Sequence, residues 1–262
     1  MCALDIVRLQ LLPSTFDTDA ASLRQHLTCF VIDDLVAIDA GSLAMAASPR
    51  QLRQIRDVVL THAHLDHIAG LPLFIDDLFS SLSEPVTIHS TESVMQTLER
   101  DIFNWSVYPR FSELSNVNGP VLKYKTFGEA EKFTVKHLTF HPVPVNHKVP
   151  STGFLVSDGT STIALSGDTA EMDGFWNLIN STDDLAAIFL ECAFPDELED
   201  LARVSHHLTP RRMKLELEKC SRTCPIFVVN LKPMFRESIV DQLAELNEAN
   251  LTILEVGKIY DL

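Results

Sequence analysis

The feature that most constrains this chain is the stretch T-H-A-H-L-D-H-I-A-G at residues 61–70. It follows a short aliphatic and β-branched run that predicts a buried strand. Imidazoles and a carboxylate this close together are the ligands of a borderline-soft divalent metal. His62 and His64 are two residues apart on an extended backbone and point to the same side, whereas Asp66 and His67 begin the next turn. The loop therefore predicts two neighbouring metal positions, the alternative being a polar loop that is rich in histidine by chance.

Five apolar runs of the chain each end at or near a polar residue. These residues are Asp39, His62, Asp168, Glu191 and Asn230. Open α/β sheets bind ligands at the carboxyl ends of their strands, so five such endings predict one site. Gly167, beside one of them, allows the backbone to approach a ligand closely.

Between these strands, apolar residues at helical spacing predict helices. The predicted helices are 71–82, 91–103, 171–179 and 210–219. Thr209 is the expected N-cap of the last one, with Pro210 at its first helical position. Early strands are predicted at 6–12 and 27–32.

The size of the chain favours one α/β domain over residues 1–262. With 262 residues and 46% hydrophobic content it can bury a large core, and it contains no internal repeat, linker or low-complexity segment. No stretch is apolar for long enough to cross a bilayer. The N-terminal run carries charges and lacks a small-residue cleavage site, which predicts a first strand rather than a signal peptide.

Cysteine content and charge indicate the compartment and the substrate class. Five scattered cysteines are an odd set that is typical of a reducing compartment, so a cytoplasmic location is expected. Cys220 and Cys224 could form a disulfide, but the favoured interpretation is that they lie one helical turn apart beside an ordinary helix end.

The net charge of the chain is −15, and only residues 50–56 and 211–214 come close to a basic cluster. A nucleic acid polymer is therefore not an expected partner, whereas one small phosphate held by metals is compatible.

The string H-A-H-L-D-H-I-A-G at 62–70 resembles the signature of the metallo-β-lactamase-fold hydrolases. That family implies a four-layer αββα sandwich with metals along one edge. A narrower resemblance, to the class II 3′,5′-cyclic-nucleotide phosphodiesterases, is carried by this string together with E-C-A-F-P at 191–195, H-L-T-P at 207–210 and L-K-P at 231–233. The resemblance spans about residues 30–260 and departs from the family pattern at L-P-L-F-I-D, residues 71–76.

The resemblance implies two divalent metal ions, with zinc expected at site 1 and zinc, manganese, magnesium or iron at site 2. The implied ligands are His62, His64 and His147 for metal 1, Asp66 and His67 for metal 2, and Asp168 bridging the two. Asp39 would support a metal ligand rather than the ion itself. A plain aspartate in a turn at that position is an equally good interpretation.

The implied reaction is hydrolysis of a 3′,5′-cyclic nucleotide, cAMP or cGMP, to the nucleoside 5′-monophosphate by a hydroxide that the two metals share. Expelling the 3′-oxygen requires a proton, and His207 is the candidate general acid, with Glu191 accepting its other N–H. Asp66 is counted with them as a catalytic residue. A histidine at a helix start with no chemical role is the alternative for His207, and His206 is expected to point away.

Other functions remain open for this fold. An RNA-processing or other phosphodiesterase would share the Glu191 and His207 pattern, but the acidic charge and the lack of a lysine-rich arm argue against it. Carbon-ester hydrolysis would share the metal ligands without predicting that pair. A non-catalytic binding protein with a degraded second metal site is supported by Asn230 alone. No membrane partner is expected, and the family suggests a homodimer.

Asn230 is the main departure from the family pattern. The family places a histidine before the Leu-Lys-Pro string, and that histidine completes metal site 2. An asparagine offers a neutral carbonyl oxygen, which is a poorer zinc ligand than an imidazole nitrogen, on a shorter side chain. The sequence therefore predicts that metal 2 binds weakly, or is manganese, magnesium or iron rather than zinc.

Overall fold

The computed structural model describes residues 7–18 and 20–262. The N-terminal prediction for residues 1–6, including the start of the strand expected at 6–12, lies outside the described residues. Within the described ranges, no helix is both long and apolar enough to span a membrane.

The strands are short, and most contain β-branched or aromatic residues that favour extended backbone. In chain order they are β1 (Arg8–Leu11), β2 (Phe16–Asp17), β3 (Ala20–Ala21), β4 (Phe30–Ile32), β5 (Val36–Ile38), β6 (Asp57–Val59), β7 (Val86–Ser90), β8 (Ser115–Asn116), β9 (Gly119–Pro120), β10 (Leu122–Thr126), β11 (Phe133–Val135), β12 (Leu138–Pro144), β13 (Thr152–Ser157), β14 (Thr162–Leu165), β15 (Leu185–Glu191), β16 (Ile226–Val229), β17 (Leu251–Ile253) and β18 (Ile259–Asp261).

The α-helices connect or flank these strands. They are α1 (Leu43–Ala46), α2 (Pro49–Gln54), α3 (Leu65–Ile68), α4 (Leu71–Leu78), α5 (Glu92–Thr97), α6 (Gly174–Asn180), α7 (Glu199–Ser205), α8 (Pro210–Leu217) and α9 (Arg236–Glu245). A π-helical turn at Leu98–Ile102 continues α5, and single 3-10 turns lie at Phe111–Glu113, Asp196–Leu198 and Pro233–Phe235.

Two seven-stranded sheets form the centre of the fold. The first has the strand order β10-β7-β6-β5-β4-β1-β18, and the second has the order β11-β12-β13-β14-β15-β16-β17. Parallel pairing joins β5, β6, β7 and β10 in the first sheet. Parallel pairing also joins β14, β15, β16 and β17 in the second. The carboxyl ends of parallel neighbours lie at one edge of each sheet, and those edges carry the site.

Alternation of side chains along the strands creates the layers. In β5 and β6, Ile38 and Val59 belong to a core shared with the second sheet, whereas Ala37 and Val58 belong to a core shared with α4. The second sheet shows the same alternation: Phe189 of β15 faces the shared core, and its neighbours face α6 and α8. Successive side chains along each strand therefore point to opposite faces of the sheet, and both faces are buried. One face packs against the other sheet and one against helices, which is the predicted αββα order.

The ends of the predicted helices differ from those observed. The helix predicted at 171–179 begins at Gly174, because the carboxylate of Glu171 pairs with Arg212 and the N–H of Met172 donates to Glu216 at 3.1 Å. The helix predicted at 71–82 ends at Leu78, and its last residues form a turn. That predicted at 91–103 changes to π-helical hydrogen bonding after Thr97.

Other local predictions agree with the structure. Thr209 caps α8 by accepting a hydrogen bond from the N–H of Arg212, and Pro210 is its first residue. The described cysteines, Cys29, Cys192, Cys220 and Cys224, are free thiols. A Cys220–Cys224 disulfide is therefore absent from the described part of the chain.

Candidate metal centre

The histidine-rich loop is held to the end of β5 by its backbone. The N–H of Ala40 donates to the carbonyl of His67 at 2.7 Å, and that of Thr28 donates to the carbonyl of Asp66 at 2.8 Å. A Cβ on Gly41 would lie 1.9 Å from the Asp66 carbonyl oxygen, so only glycine permits this approach. The loop then enters α3, which carries Asp66 and His67. The expectation that His67 points away from the preceding histidines is wrong, because its ring centroid lies 4.2 Å from that of His62.

Three histidines converge from distant parts of the chain. Ligand atoms of His62, His64 and His147 lie within 4.8 Å of one another, and His147 Nε2 is 3.2 Å from His64 Nδ1. His147 reaches them from the segment after β12. The structure thus brings together the three side chains predicted for metal 1.

A second group shares one member with the first. Ligand atoms of His62, His67 and Asp168 also lie within 4.8 Å of one another, with His67 Nε2 3.4 Å from Asp168 Oδ1. The buried Nε2 atoms of His62 and His67 have no hydrogen-bond partner among the described residues. Buried polar atoms are seldom left unpaired, so these two nitrogens are suited to a bound cation. The donor set of imidazoles and one carboxylate fits a divalent metal.

The far sides of these ligands are fixed by Asp39 and Thr61. Asp39 Oδ2 lies 2.7 Å from His67 Nδ1, and Asp39 Oδ1 accepts from the N–H of Thr61 at 2.9 Å. Thr61 Oγ1 is 2.9 Å from His62 Nδ1. Each contact occupies one ring nitrogen and leaves the other for the centre, which is how hydrogen-bond partners orient metal ligands. Asp39 is therefore more than a turn residue.

His206 contributes to the centre through its backbone, which sequence reasoning did not foresee. It ends α7 in the left-handed conformation, at φ 58°. Its carbonyl oxygen lies 3.0 Å from His147 Nδ1, while its own ring nitrogen contacts Asn146 Oδ1 at 2.9 Å. The carbonyl accepts the Nδ1–H of His147 and leaves Nε2 facing His64. The ring of His206 does point away, as expected.

Burial keeps the metal-1 histidines neutral. It lowers the pKa of His62 well below its usual value and that of His147 to about 4, against the opposing hydrogen bond to His206. Burial would raise the pKa of Asp168, but the imidazoles of His67 and His62 hold it well below its usual range. Neutral His62 and His147 beside an ionised Asp168 are the protonation states in which these groups bind metal. His67 differs, because Asp168 and Asp39 raise its pKa well above the usual value against burial, so it must release a proton to bind a metal.

Next to the histidines lies a buried acid–base pair. His207 Nδ1 is 2.7 Å from Glu191 Oε1, and Glu191 is fully buried at the end of β15. Burial alone would lower the pKa of His207, but the Glu191 carboxylate raises it above its usual value. A ring nitrogen of His207 lies within 4.8 Å of ligand atoms of His147 and Asp168. The pair thus places at the edge of the centre an imidazole whose pKa is raised by a buried carboxylate.

Asp66 and Asn230 are placed differently from the other predicted ligands. Asp66 belongs to none of the convergent His, Cys, Asp and Glu groups of the described chain, and its Oδ2 is 4.0 Å from His67 Nε2. Asn230 Nδ2 donates to Asp168 Oδ1 at 2.8 Å. Lys232 Nζ lies 3.3 Å from Asp66 Oδ2, a contact between residues 166 positions apart that the sequence alone did not reveal.

Comparison with known proteins gives a consistent result at the family level. Residues 32–224 match the family described as Beta-lactamase superfamily domain. A probable 3′,5′-cyclic-nucleotide phosphodiesterase of Yersinia pestis is 23% identical over 232 residues, covering 77% of this chain and 66% of that protein. The chloroplastic tRNase Z TRZ2 of Arabidopsis thaliana is 23% identical over 147 residues, covering 54% and 37%.

The fold is shared with solved structures at low identity. Unliganded yeast PDE1 superposes with a TM-score of 0.78 at 17% identity, covering 98% of this chain and 99% of that one. The matches to curated relatives are less complete: the aligned part of this chain spans 66% of the Yersinia pestis protein and 53% of a 3′,5′-cyclic-nucleotide phosphodiesterase of Aliivibrio fischeri.

Proposed function

Because this chain belongs to the β-lactamase superfamily, we propose that it is a metal-dependent phosphodiesterase that hydrolyses 3′,5′-cyclic nucleotides to nucleoside 5′-monophosphates. The membership agrees with the fold class and family predicted from residues 62–70. The observation that carries the proposed reaction is the Glu191–His207 pair, which lies beside the histidine cluster at a hydrogen-bond distance of 2.7 Å. We further propose that residues 1–262 act as one catalytic domain.

In this proposal His62, His64 and His147 hold a divalent ion, with Asp168 as a further ligand. Such an ion supplies Lewis-acid activation of water and of the phosphoryl oxygens. The protein's own contribution is to fix the ligands in position. Thr61, Asp39 and the His206 carbonyl each bind the ring nitrogen that faces away from the centre. A preset ligand geometry avoids reorganisation during the reaction.

His207 supplies the proton that the leaving 3′-oxygen needs. An alkoxide is a poor leaving group, so a positioned acid accelerates its departure. The Glu191 carboxylate favours the protonated imidazole and fixes the ring through Nδ1. Glu191 is itself fixed, since the N–H of Thr169 donates to Oε1 at 2.9 Å. This pair distinguishes the proposed reaction from carbon-ester hydrolysis on the same fold.

RNA processing is the second candidate, because tRNase Z of Arabidopsis thaliana is among the relatives. A long polyanion requires clustered lysines and arginines. This chain carries 36 acidic and 21 basic residues, which favours a small substrate with one phosphate. The cytoplasmic location and the homodimer stay predictions.

A turnover screen tests the proposal. Metal-reconstituted protein is offered cAMP, cGMP, a bis-aryl phosphate and a precursor tRNA with a 3′ trailer under identical conditions. Cyclic nucleotides should be turned over to 5′-monophosphates with the highest kcat/KM. Efficient removal of the tRNA trailer without turnover of either cyclic nucleotide would establish the second candidate instead.

A further inference from the structure

We propose that Arg212 and Glu171 form a clamp that holds the imidazole of His207 in place beside the metal-binding histidines. Arg212 is then a positioning residue for the proposed reaction, because it acts through the backbone of His207 rather than by touching the reacting atoms. The inference rests on the proposed function, in which His207 gives its proton to the leaving oxygen.

The guanidinium group of Arg212 has two sets of acceptors. Arg212 lies in the first turn of α8, and its side chain is 8% exposed. Its Nη1 donates to the carbonyl oxygen of His207 at 2.9 Å. Its Nε and Nη2 donate to the two carboxylate oxygens of Glu171 in a bidentate pair. A guanidinium fork fits a carboxylate in this way and keeps a further N–H for the carbonyl. One buried side chain therefore joins His207 to Glu171.

The backbone of His207 lies between two helices. It follows the end of α7 at Ser205 and precedes the start of α8 at Pro210. Its N–H donates to the carbonyl of Ala202 at 2.8 Å, and its carbonyl accepts from Arg212. A buried carbonyl left without a donor is unfavourable, so the segment should shift toward another donor or toward water when Arg212 is removed. Such a shift would move the ring of His207 with it.

The other end of the clamp reaches the segment that carries a metal ligand. The carbonyl of Glu171 accepts from Asn146 Nδ2 at 2.9 Å. The N–H of Ala170 donates to the carbonyl of Asn146 at 2.7 Å. Asn146 directly precedes His147, whose ring centroid lies 5.0 Å from that of His207. The clamp thus connects the segment that holds the acid to the segment that holds a metal ligand.

The two members of the clamp differ in burial, which gives one severe and one mild perturbation. The side chain of Glu171 is 43% exposed, against 8% for Arg212. Arg212→Met removes the only donor that the structure gives to the His207 carbonyl among the described residues. Glu171→Gln keeps one side-chain oxygen that accepts from the guanidinium, and water reaches the new amide.

Turnover of two substrates tests the role of Arg212. Arg212→Met should lower kcat on a cyclic nucleotide by about 10–10²-fold with KM nearly unchanged, since a misplacement of about 1 Å can cost 10²-fold. The loss on bis(4-nitrophenyl) phosphate should be much smaller, because its phenol leaves without a proton. In His207→Ala protein the same substitution should cause little further loss, because the two residues act as one unit.

Arg211→Met is the matched control. Arg211 is the neighbouring arginine on α8, but its side chain is 69% exposed and pairs with Asp196 and Glu199. Its rates should stay close to wild type. Equal losses on both substrates in Arg212→Met, or an equally large further loss in the His207→Ala background, would show a purely structural role and overturn the inference.

Glu171→Gln covers the case in which Arg212→Met does not fold. It should show the same selective loss on the cyclic nucleotide, smaller in size. Wild-type rates on both substrates in folded Glu171→Gln would overturn the clamp.

A measurement without substrate separates this inference from the proposed function. In zinc-loaded protein, the Nδ1–H proton that His207 directs to Glu191 gives a proton NMR signal, assigned by its loss in His207→Ala. We expect the signal in wild type and in Arg211→Met, and its loss through exchange with water in Arg212→Met. Its absence from wild type, or an unchanged signal in Arg212→Met, would overturn the inference even in an active cyclic-nucleotide phosphodiesterase. The expected pattern in a protein that hydrolyses no cyclic nucleotide would support the clamp and remove the proposed substrate.

Discussion

Replacing His207 tests the proposed chemistry at its most specific point. His207 Nδ1 lies 2.7 Å from the fully buried Glu191 carboxylate, so the ring is fixed and its proton is directed to the centre. General acid catalysis by a positioned side chain contributes typically 10²–10⁴-fold. At 1.36 kcal/mol per factor of ten, the loss in His207→Ala corresponds to about 3–5 kcal/mol of transition-state stabilisation.

The assay compares two substrates that differ in their need for a proton. A cyclic nucleotide expels an alkoxide, whereas bis(4-nitrophenyl) phosphate expels an acidic phenol that leaves unprotonated. His207→Ala should therefore lose at least about 10²-fold in kcat on the cyclic nucleotide and much less on the aryl ester.

Two controls separate the acid role from a structural one. His206→Asn keeps the backbone carbonyl that binds His147 and suits the left-handed conformation, so its rates should stay close to wild type. The metal content of His207→Ala should equal that of wild type. Equal losses on both substrates would refute the acid role, and a lost metal ion would show that His207 is a ligand.

Three further predictions follow from buried carboxylates. Asp168→Ala should abolish activity and lower metal content, because its carboxylate lies within 4.8 Å of ligand atoms of His62, His67 and His147; metal analysis showing unchanged content would contradict this. Asp39→Asn should weaken metal affinity by about 10–100-fold in chelator competition, since Asp39 orients His67 while asparagine keeps the positive φ; unchanged affinity would remove that role. Asp57 has a pKa below its usual value because hydrogen bonds from His89 and Lys136 outweigh burial, so its stabilisation is present above about pH 4 and lost as the pH falls. Asp57→Asn should cost about 1–2 kcal/mol in urea unfolding at pH 7 and little near pH 3; an equal cost at both pH values would contradict the assignment.

Local patterns were sufficient to predict most of the candidate centre. The density of histidines after a buried strand predicts a metal site, but spacing did not give the direction of every ring: that of His67 lies 4.2 Å from that of His62, closer than the ring of His64 at 4.7 Å. The polar residues that follow strands could also be predicted from the sequence. Asp39, Glu191 and the other residues of this kind end runs that are too apolar to be exposed. Their convergence depends on two sheets rather than one, and that pairing is set by contacts across the whole chain.

Contacts between distant backbone and side-chain atoms could not be predicted. The His206 carbonyl reaches His147 across 59 positions, and no residue type identifies a carbonyl as a partner. Lys232 belongs to the quoted Leu-Lys-Pro string, yet its pairing with Asp66 depends on how two sheet edges meet. Helix ends were missed where side chains such as Glu171 form ion pairs instead of extending a helix.

The most direct test of the central claim is the identity of the product formed from 3′,5′-cAMP. The nucleotide is incubated with three samples: protein stripped of metal by a chelator, protein reconstituted with zinc and protein reconstituted with manganese. The products are then separated by chromatography. We predict that 5′-AMP is the only product, formed by the reconstituted protein and absent after chelation. Formation of 3′-AMP, turnover that survives chelation, or no turnover by protein with its metal bound would contradict the claim.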